Sequence, residues 1–290
     1  MKWLSKPWQL ALMIIPALAF YGVYLVYPVL YSIYYSFTDF TGIGAAHLNG
    51  GANYATMVHD PFFWSSLRNT GIILAIGLLV LIPLAFLIAV LLSGDIKGSG
   101  LLRALLFAPA IVAPILVGLI WVFILDPSVG LINAFLAAIG IPNGPKWIGG
   151  TELSPYSIGI VFVWEQLGFI VTIFYAGLKL LPAEVMEASS IDGATRYQQL
   201  RHVTVPMLNE TFNICTVLVI TGVFKIFELV YVLTGGGPVH LSDVLVSYMY
   251  YITFTVQQYG YGMALAVVIL ALGVIVSVGY LMLSRRRRYA

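Results

Sequence analysis

Six stretches of about twenty mostly apolar residues constrain this chain more than any other feature in it. A helix needs about 20 apolar residues to cross the roughly 30 Å hydrocarbon core of a bilayer. The stretches run over 10–30, 71–92, 104–125, 157–178, 212–234 and 261–283. In lipid every backbone N–H and C=O must be satisfied within the protein, so runs of this length are read as helices. Charged residues make up 9% of the chain and its mean hydropathy is +0.96, whereas an ordinary soluble domain carries about 25% charged residues. The predicted fold class is therefore all-α: a polytopic membrane protein with six transmembrane helices. Pro16, Pro28, Pro83, Pro109 and Pro114 interrupt several runs. Neighbouring helices or water can satisfy the carbonyls that prolines free, so none of them vetoes a span. The single cysteine, Cys215, excludes an internal disulfide and a CxxC redox or zinc site.

Orientation follows from the placement of Lys and Arg rather than from the net charge of +2. With the N-terminus inside, the cytoplasmic side holds Lys2, Lys6, Lys97, Arg103, Lys179, Arg196, Arg201 and Arg285, Arg286, Arg287 and Arg288, eleven in all. The outside holds Arg68 and Lys146, and Lys225 falls within a span. Both termini are thus predicted to be cytoplasmic. "ALA" at 17–19 resembles a signal-peptidase site. The run continues well beyond the roughly 7–15 residues of a signal h-region, so an uncleaved anchor is expected. The apolar, aromatic stretch 241–260 would put the terminal arginines outside if it crossed. It contains Asp243 and two glutamines and lies between "TGGGP" and "YGYG", turn-forming sequences that break a helix. A re-entrant or interfacial helix on the outer side is predicted there, and a second short outer helix within 126–156. The organisation reads as a first span and external segment over 1–68, a core of five spans over 69–284, and a basic tail over 285–290.

One polar island interrupts the apolar pattern: "EVMEASSIDGATRYQQLRHVTVPML" at 184–208. Pro182 suits a first helical turn, with Glu184 and Glu187 near the positive helix end. Met186, Ala188 and Ile191 can share an apolar surface. Gly193 permits a sharp reversal, after which Tyr197, Leu200 and Val203 recur at helical spacing until Pro206. The hairpin is too polar for lipid and too apolar for an idle loop. It reads as a docking surface for a cytoplasmic partner.

The island resembles the EAA loop of permease subunits of binding-protein-dependent ABC importers. The family pattern is Glu-Ala-Ala, three residues, Gly, nine residues, then Ile-x-Leu-Pro. Here it reads Glu187-Ala188-Ser189, three residues, Gly193, nine residues, then Val203-Thr204-Val205-Pro206. "YAGLKLLPAEVMEASSIDGA", "YVLTGGGP" and "YGYGMALA" are similar to the sugar-transporting branch of maltose and glycerol-phosphate type. The resemblance implies the type I importer permease fold, with a second permease subunit as the other half of a heterodimer and two ATPase subunits beneath. It also implies an external solute-binding protein, a sugar or oligosaccharide as substrate, and residence in a bacterial or archaeal cytoplasmic (inner) membrane. Glu184, Glu187, Ala188, Ser189, Asp192, Gly193 and Arg196 would couple the permease to an ATPase, with Glu187 meeting a basic group there. No GxxxxGK[ST] phosphate loop occurs. ATP and Mg are therefore expected on the partner subunits, with no cofactor, catalytic residue or metal site in this chain.

Charges within spans are rare and usually face a cavity or a partner. Glu165 lies in the fourth span, and Lys225 and Glu228 in the fifth, so that Lys225 could pair with either acid. With Trp164 and Gln166, these residues form a candidate solute pathway, since sugars suit aromatic faces beside hydrogen-bonding groups. A buried ion pair that locks helix packing explains the same charges. Gly235, Gly236, Gly237 and Pro238 form a candidate outer gate or turn. The arginines at 285–288 read as a headgroup anchor to membrane lipid, with no nucleic-acid role. A stand-alone ion-coupled carrier, using Glu165, Lys225 and Glu228, is the alternative function, but it leaves the polar island without a purpose.

Overall fold

The structure is a computed structural model that describes residues 7–94 and 97–286. Lys2, Lys6 and the end of the basic tail lie outside the described residues, as do the side chains of Arg285 and Arg286. In chain order the helices are α1 Pro7–Tyr21, α2 Tyr27–Tyr35, α3 Ala52–His59, α4 Pro61–Ile76, α5 Ile82–Ser93, α6 Ser99–Ile111, α7 Pro114–Leu125 and α8 Leu131–Ala138. They continue with α9 Ser154–Lys179, α10 Ala183–Ile191, α11 Arg196–Gln199, α12 Val205–Met207, α13 Asn209–Val223, α14 Glu228–Leu233, α15 Leu245–Tyr250 and α16 Tyr259–Arg286.

Four continuous helical stretches are long and apolar enough to cross a bilayer: Leu10–Tyr35, Pro61–Ser93, Ser154–Lys179 and Tyr259–Ser284. Two further pairs qualify together, α6 with α7 bent by 99° and Arg196–Met207 with α13 bent by 68°. With each bent pair counted as one, the described residues supply six spans. The fifth expected span, 212–234, is not a single helix. It ends at Val223, unwinds over 224–227 and restarts as α14.

The prolines are accommodated by a recurring device. Gly22–Val26, Gly77–Leu81 and Leu200–Thr204 are wide helical turns, and each ends two residues before a proline: Pro28, Pro83 and Pro206. A proline inside a helix clashes with the carbonyl four residues back. Here that carbonyl belongs to Tyr24, Leu79 or His202, each inside a wide turn that swings it off the usual path. The residue before each proline instead donates five residues back, as Ile82 N–H does to the Gly77 carbonyl. The chain therefore stays helical through these three prolines.

The residues form two compact units, Met1–Pro61 with Met249–Ala271, and Phe62–Tyr248 with Leu272–Ala290. In the first, Asn53 Nδ2 donates to the carbonyls of Ser36 and Thr38 at 2.8 and 2.9 Å, and Gly260 N–H donates to Phe40 O at 2.8 Å. Tyr261 Oη donates to Asp60 Oδ2 at 2.6 Å. These bonds tie the chain after α2 to the start of α16.

In the second unit α9 is the central post, packed by α5, α6 and α13. Ile158, Val161, Phe162, Ile170, Val171 and Phe174 are buried along it. Phe86, Phe174 and Phe212 form an aromatic cluster that joins α5, α9 and α13. Gly168 permits the closest crossing, since a Cβ there would collide with the Leu106 carbonyl of α6.

The stretch 241–260 folds as α15 followed by a wide turn, Tyr251–Thr255, and the chain leaves helical structure before α16. Eleven helical residues reach about 16 Å at 1.5 Å each, half of what a span needs. The short outer helix expected within 126–156 is α8.

Candidate functional site

The polar hairpin, the expected coupling element, is built from two capped helices. Pro182 takes the N-cap of α10, one position ahead of the first helical turn. At the other end Gly193 has φ +81°, its N–H bonds Ser190 O at 3.1 Å, and Ala194 N–H bonds Ser189 O at 3.1 Å. This is a Schellman ending, in which a left-handed residue lets two N–H groups return to the last carbonyls. The second arm opens with a capping box, unforeseen from the family pattern although "TRYQ" carries its signature. Thr195 Oγ1 accepts from Gln198 N–H at 3.3 Å, and Gln198 Oε1 accepts from Thr195 N–H at 2.8 Å. Gln199 Nε2 donates to Ser190 Oγ at 2.7 Å and bolts the two arms together.

Glu184, Glu187, Ala188, Asp192 and Arg196 are exposed, and Ser189 is half-buried with its hydroxyl on Met186 O at 2.8 Å. The expected ridge of Met186, Ala188 and Ile191 is not one surface. Met186 turns inward, where its sulfur accepts from Thr204 Oγ1 at 4.0 Å. The outward apolar positions are Val185, Ala188 and Ile191, spaced by three, with Ile191 86% exposed. A three-residue spacing fits either side of a short helix, so periodicity alone could not choose. Behind the hairpin lies a groove of about 430 Å³, lined in part by Val90, Lys179, Met186, Arg196 and Leu200.

The second cluster lies halfway along the spans. Glu165 is buried near the middle of α9, beside the 38%-exposed Trp164 and the half-buried Gln166. Trp164 meets Trp121 of α7 edge-to-face, with ring centroids 5.6 Å apart. The Trp121 indole N–H is buried without a protein acceptor. Sequence reasoning missed Trp121, whose position in an apolar run marks it only as a core residue. α14 packs on α7.

Lys225 is exposed within the unwound 224–227 and Glu228 opens α14, also exposed. Neither sits on the continuous helical face expected of them. Among the described residues no ion pair joins Lys225 to Glu165 or to Glu228. Glu165 and Glu228 lie on helices that touch, α9 and α14. α6 also stops at Ile111, before α7 begins at Pro114. Unwound backbone at membrane depth persists where protein or a water-filled cavity satisfies it. The second unit thus carries two such breaks, one holding Lys225, and the Trp121–Trp164 pair with Glu165 on the adjoining helices α7 and α9.

At the outer turn, Gly235 and Gly236 have φ +54° and +80°, and Gly237–Pro238 is a cis peptide. A Cβ on Gly236 would lie 2.7 Å from both Asp243 carboxylate oxygens, so space as well as φ calls for glycine. Asp243 is the hub. It accepts from Ser247 Oγ at 2.6 Å and contacts His240 Nδ1 at 2.8 Å. Asn69 Nδ2 donates to the carbonyls of Leu241 and Asp243, both at 2.8 Å. Residues 69 and 243 are too far apart in sequence for any local pattern to have linked them.

The match to known proteins covers this architecture. Residues 81–289 match the family model described as binding-protein-dependent transport system inner membrane component. The chain belongs to that family. A probable ABC transporter permease protein of Pyrococcus horikoshii is 31% identical over 93% of each chain. The trehalose/maltose transport system permease protein MalF of Thermococcus litoralis is 30% identical, over 96% of this chain and 94% of the relative. A bacterial ABC transporter involved in import of the acidic polysaccharide alginate shares the fold. Its TM-score is 0.81 at 20% identity, with 96% of each chain covered. This ABC permease is a multi-pass membrane transport subunit with the type I importer fold, and the ion-coupled carrier alternative falls with that membership.

Proposed function

We propose that this permease forms half of the pathway by which an ATP-driven importer carries a carbohydrate, delivered by an external binding protein, across a bacterial or archaeal inner membrane. A companion permease subunit supplies the other half. Two ATPase subunits bind ATP and Mg and dock on the coupling hairpin from the cytoplasm. The observation that carries this reading is the hairpin itself. Its turn is fixed by a Schellman ending and a capping box, while it presents Glu184, Glu187 and Ile191 to the outside of the chain. A rigid, charged and partly apolar projection in an otherwise lipid-compatible chain is suited to receive a push from a partner.

The carbohydrate assignment draws on the trehalose/maltose relative and on α9, where the exposed indole of Trp164 is flanked by the acid Glu165 and the amide Gln166. A sugar offers both an apolar ring face and hydroxyls to such a surface. The test is reconstitution of the permease with its companion and ATPase subunits in vesicles, with the binding protein outside. Uptake of a labelled disaccharide or oligosaccharide that requires ATP inside, and ceases when the ATPase is omitted, supports the reading. Uptake by the permease alone rules it out.

A further inference from the structure

α6 and α9 enclose a second groove, of about 340 Å³, which neither the coupling hairpin nor the cluster around Glu165 uses. Its lining is mostly apolar, with Ala104 and Phe107 of α6 and Val171 of α9 beside Thr172 and Tyr175. Arg103 also lines it, with its guanidinium 4.4 Å from the centre of the Tyr175 ring. Arg103 Nε donates to Ser99 O at 3.2 Å. The guanidinium is thus held twice, by a cation–π contact and by a backbone bond, and among the described residues no hydrogen bond engages its terminal nitrogens. Lys179 lies 5.6 Å from the same ring and donates to Ser93 O at 3.2 Å. Among the described residues neither cation has an acidic partner.

A guanidinium fixed through Nε presents its remaining N–H groups as a fork, the geometry that suits a phosphate or carboxylate oxyanion. A free sugar fits poorly, since the lining has few groups to receive hydroxyls, and a buried unpaired hydroxyl is costly. An amphiphile fits both parts. Arg103 and Lys179 fall at the cytoplasmic ends of their spans, where phospholipid headgroups lie and where basic pockets between helices take anionic lipid.

We infer that this groove is a binding site for an anionic phospholipid of the cytoplasmic leaflet, with its phosphate on Arg103, near the charge of Lys179, and an acyl chain along Ala104, Phe107 and Val171. The inference rests on the cytoplasmic placement of these residues and not on the transported solute. It is therefore read by lipid retention and not by transport.

The assembled complex is reconstituted in nanodiscs of phosphatidylcholine and phosphatidylglycerol in equal amounts, then released and weighed by native mass spectrometry. The parent is expected to retain phosphatidylglycerol in preference to phosphatidylcholine. Arg103→Gln together with Lys179→Gln should reduce that excess about tenfold, as expected for removal of charge-assisted contacts. Gly100→Phe should do the same by filling the groove, leaving both charges in place, since space is open where its Cβ would be. Inorganic phosphate in the buffer should compete weakly, because it lacks the chain. Equal retention of both lipids by the parent, or a phosphatidylglycerol excess unchanged in both variants, overturns the site. Full competition by inorganic phosphate with no effect of Gly100→Phe reduces it to an oxyanion site and overturns the lipid. Loss of the excess on addition of the transported sugar assigns the groove to solute instead.

Discussion

The side-chain amide of Asn69 holds the main chain at Asp243, donating to its carbonyl at 2.8 Å across 174 positions of sequence. The same amide reaches Leu241 O, and Thr70 Oγ1 accepts from Leu245 N–H at 3.1 Å. The middle of α4 therefore anchors the outer turn. Asn69→Ala leaves two carbonyls to find other donors. A lost partner at a buried polar group costs about 1–3 kcal/mol, so about 2 kcal/mol is expected. It should appear as a lower unfolding temperature of the purified complex. It should also speed labelling of a cysteine placed at the exposed Val239. A melting curve like the parent's would show that the anchor carries no stability.

Lys225 separates two explanations of the intramembrane charges. Breaking a buried ion pair costs roughly 3–5 kcal/mol in soluble proteins. Lys225 is exposed in a helix break and has no such pair among the described residues. Lys225→Met is therefore expected to assemble like the parent and to change the dependence of uptake on solute concentration. Co-purification yield and an uptake titration measure the two. A collapse of assembly with no change in solute dependence would return Lys225 to a packing role.

The parts legible in the sequence were those set by local chemistry. Length and hydropathy marked the spans, because a bilayer imposes them on consecutive residues. Gly193 and the spacing around it marked the hairpin, because a left-handed turn needs glycine. The break at 224–227 was not legible. "FKIF" contains no glycine or proline, and the helix stops there in a fold where α14 packs on α7. The inward turn of Met186 and the reach of Asn69 are tertiary in the same sense. The prolines were visible but their remedy was not, since a wide turn leaves no residue signature of its own.

Asp126, at the C-terminal end of α7, carries a pH dependence. Its Oδ1 accepts from Ser128 Oγ at 2.6 Å and from the N–H groups of Val129 and Ser128 at 3.0 and 2.7 Å. The Ser128 hydroxyl, then the Val129 and Ser128 N–H groups, hold the carboxyl below its ordinary range. A folded-state pKa below the unfolded one gives stability that is complete above the unfolded value. That stability is lost as pH falls through the folded value. Asp126→Asn should therefore melt below the parent at neutral pH, and the gap should close as pH falls through the carboxylate range. A gap that widens on acidification would reverse the sign and reject the assignment.

The re-entrant reading of 241–260 is tested by labelling from either side of the membrane. Val239 and Gln257 flank α15 and its wide turn, and both are exposed. If eleven helical residues are too few to cross, single cysteines at both positions should react with an impermeant reagent from outside. A cysteine at Leu180, 83% exposed near the coupling hairpin, should react only after the membrane is opened. Opposite sidedness of 239 and 257 would mean that the stretch crosses and that the arginine tail lies outside.

The coupling hairpin gives the sharpest test of the functional proposal, because charge and geometry can be altered separately. Glu187 is exposed on α10, one position from the outward Ala188, where it can meet a cation on the ATPase through a charge-assisted contact. Glu187→Lys reverses that contact and leaves the turn intact. It should weaken ATPase co-purification, or leave hydrolysis no longer stimulated by solute, without changing membrane insertion. At Gly193 no atom lies within 4 Å of an added Cβ, yet φ is +81°. The penalty is therefore conformational, roughly 1–2 kcal/mol for a side chain forced into the left-handed region. Asp enters that region more readily than a β-branched residue. Gly193→Asp should thus re-aim the second arm partially, and Gly193→Val more severely. The expected order of lost coupling is Gly193→Val above Gly193→Asp above parent, read as the ratio of solute moved to ATP hydrolysed. If Glu187→Lys and Gly193→Val both couple like the parent, the hairpin is not where the ATPase pushes, and the importer mechanism needs another contact on the cytoplasmic face.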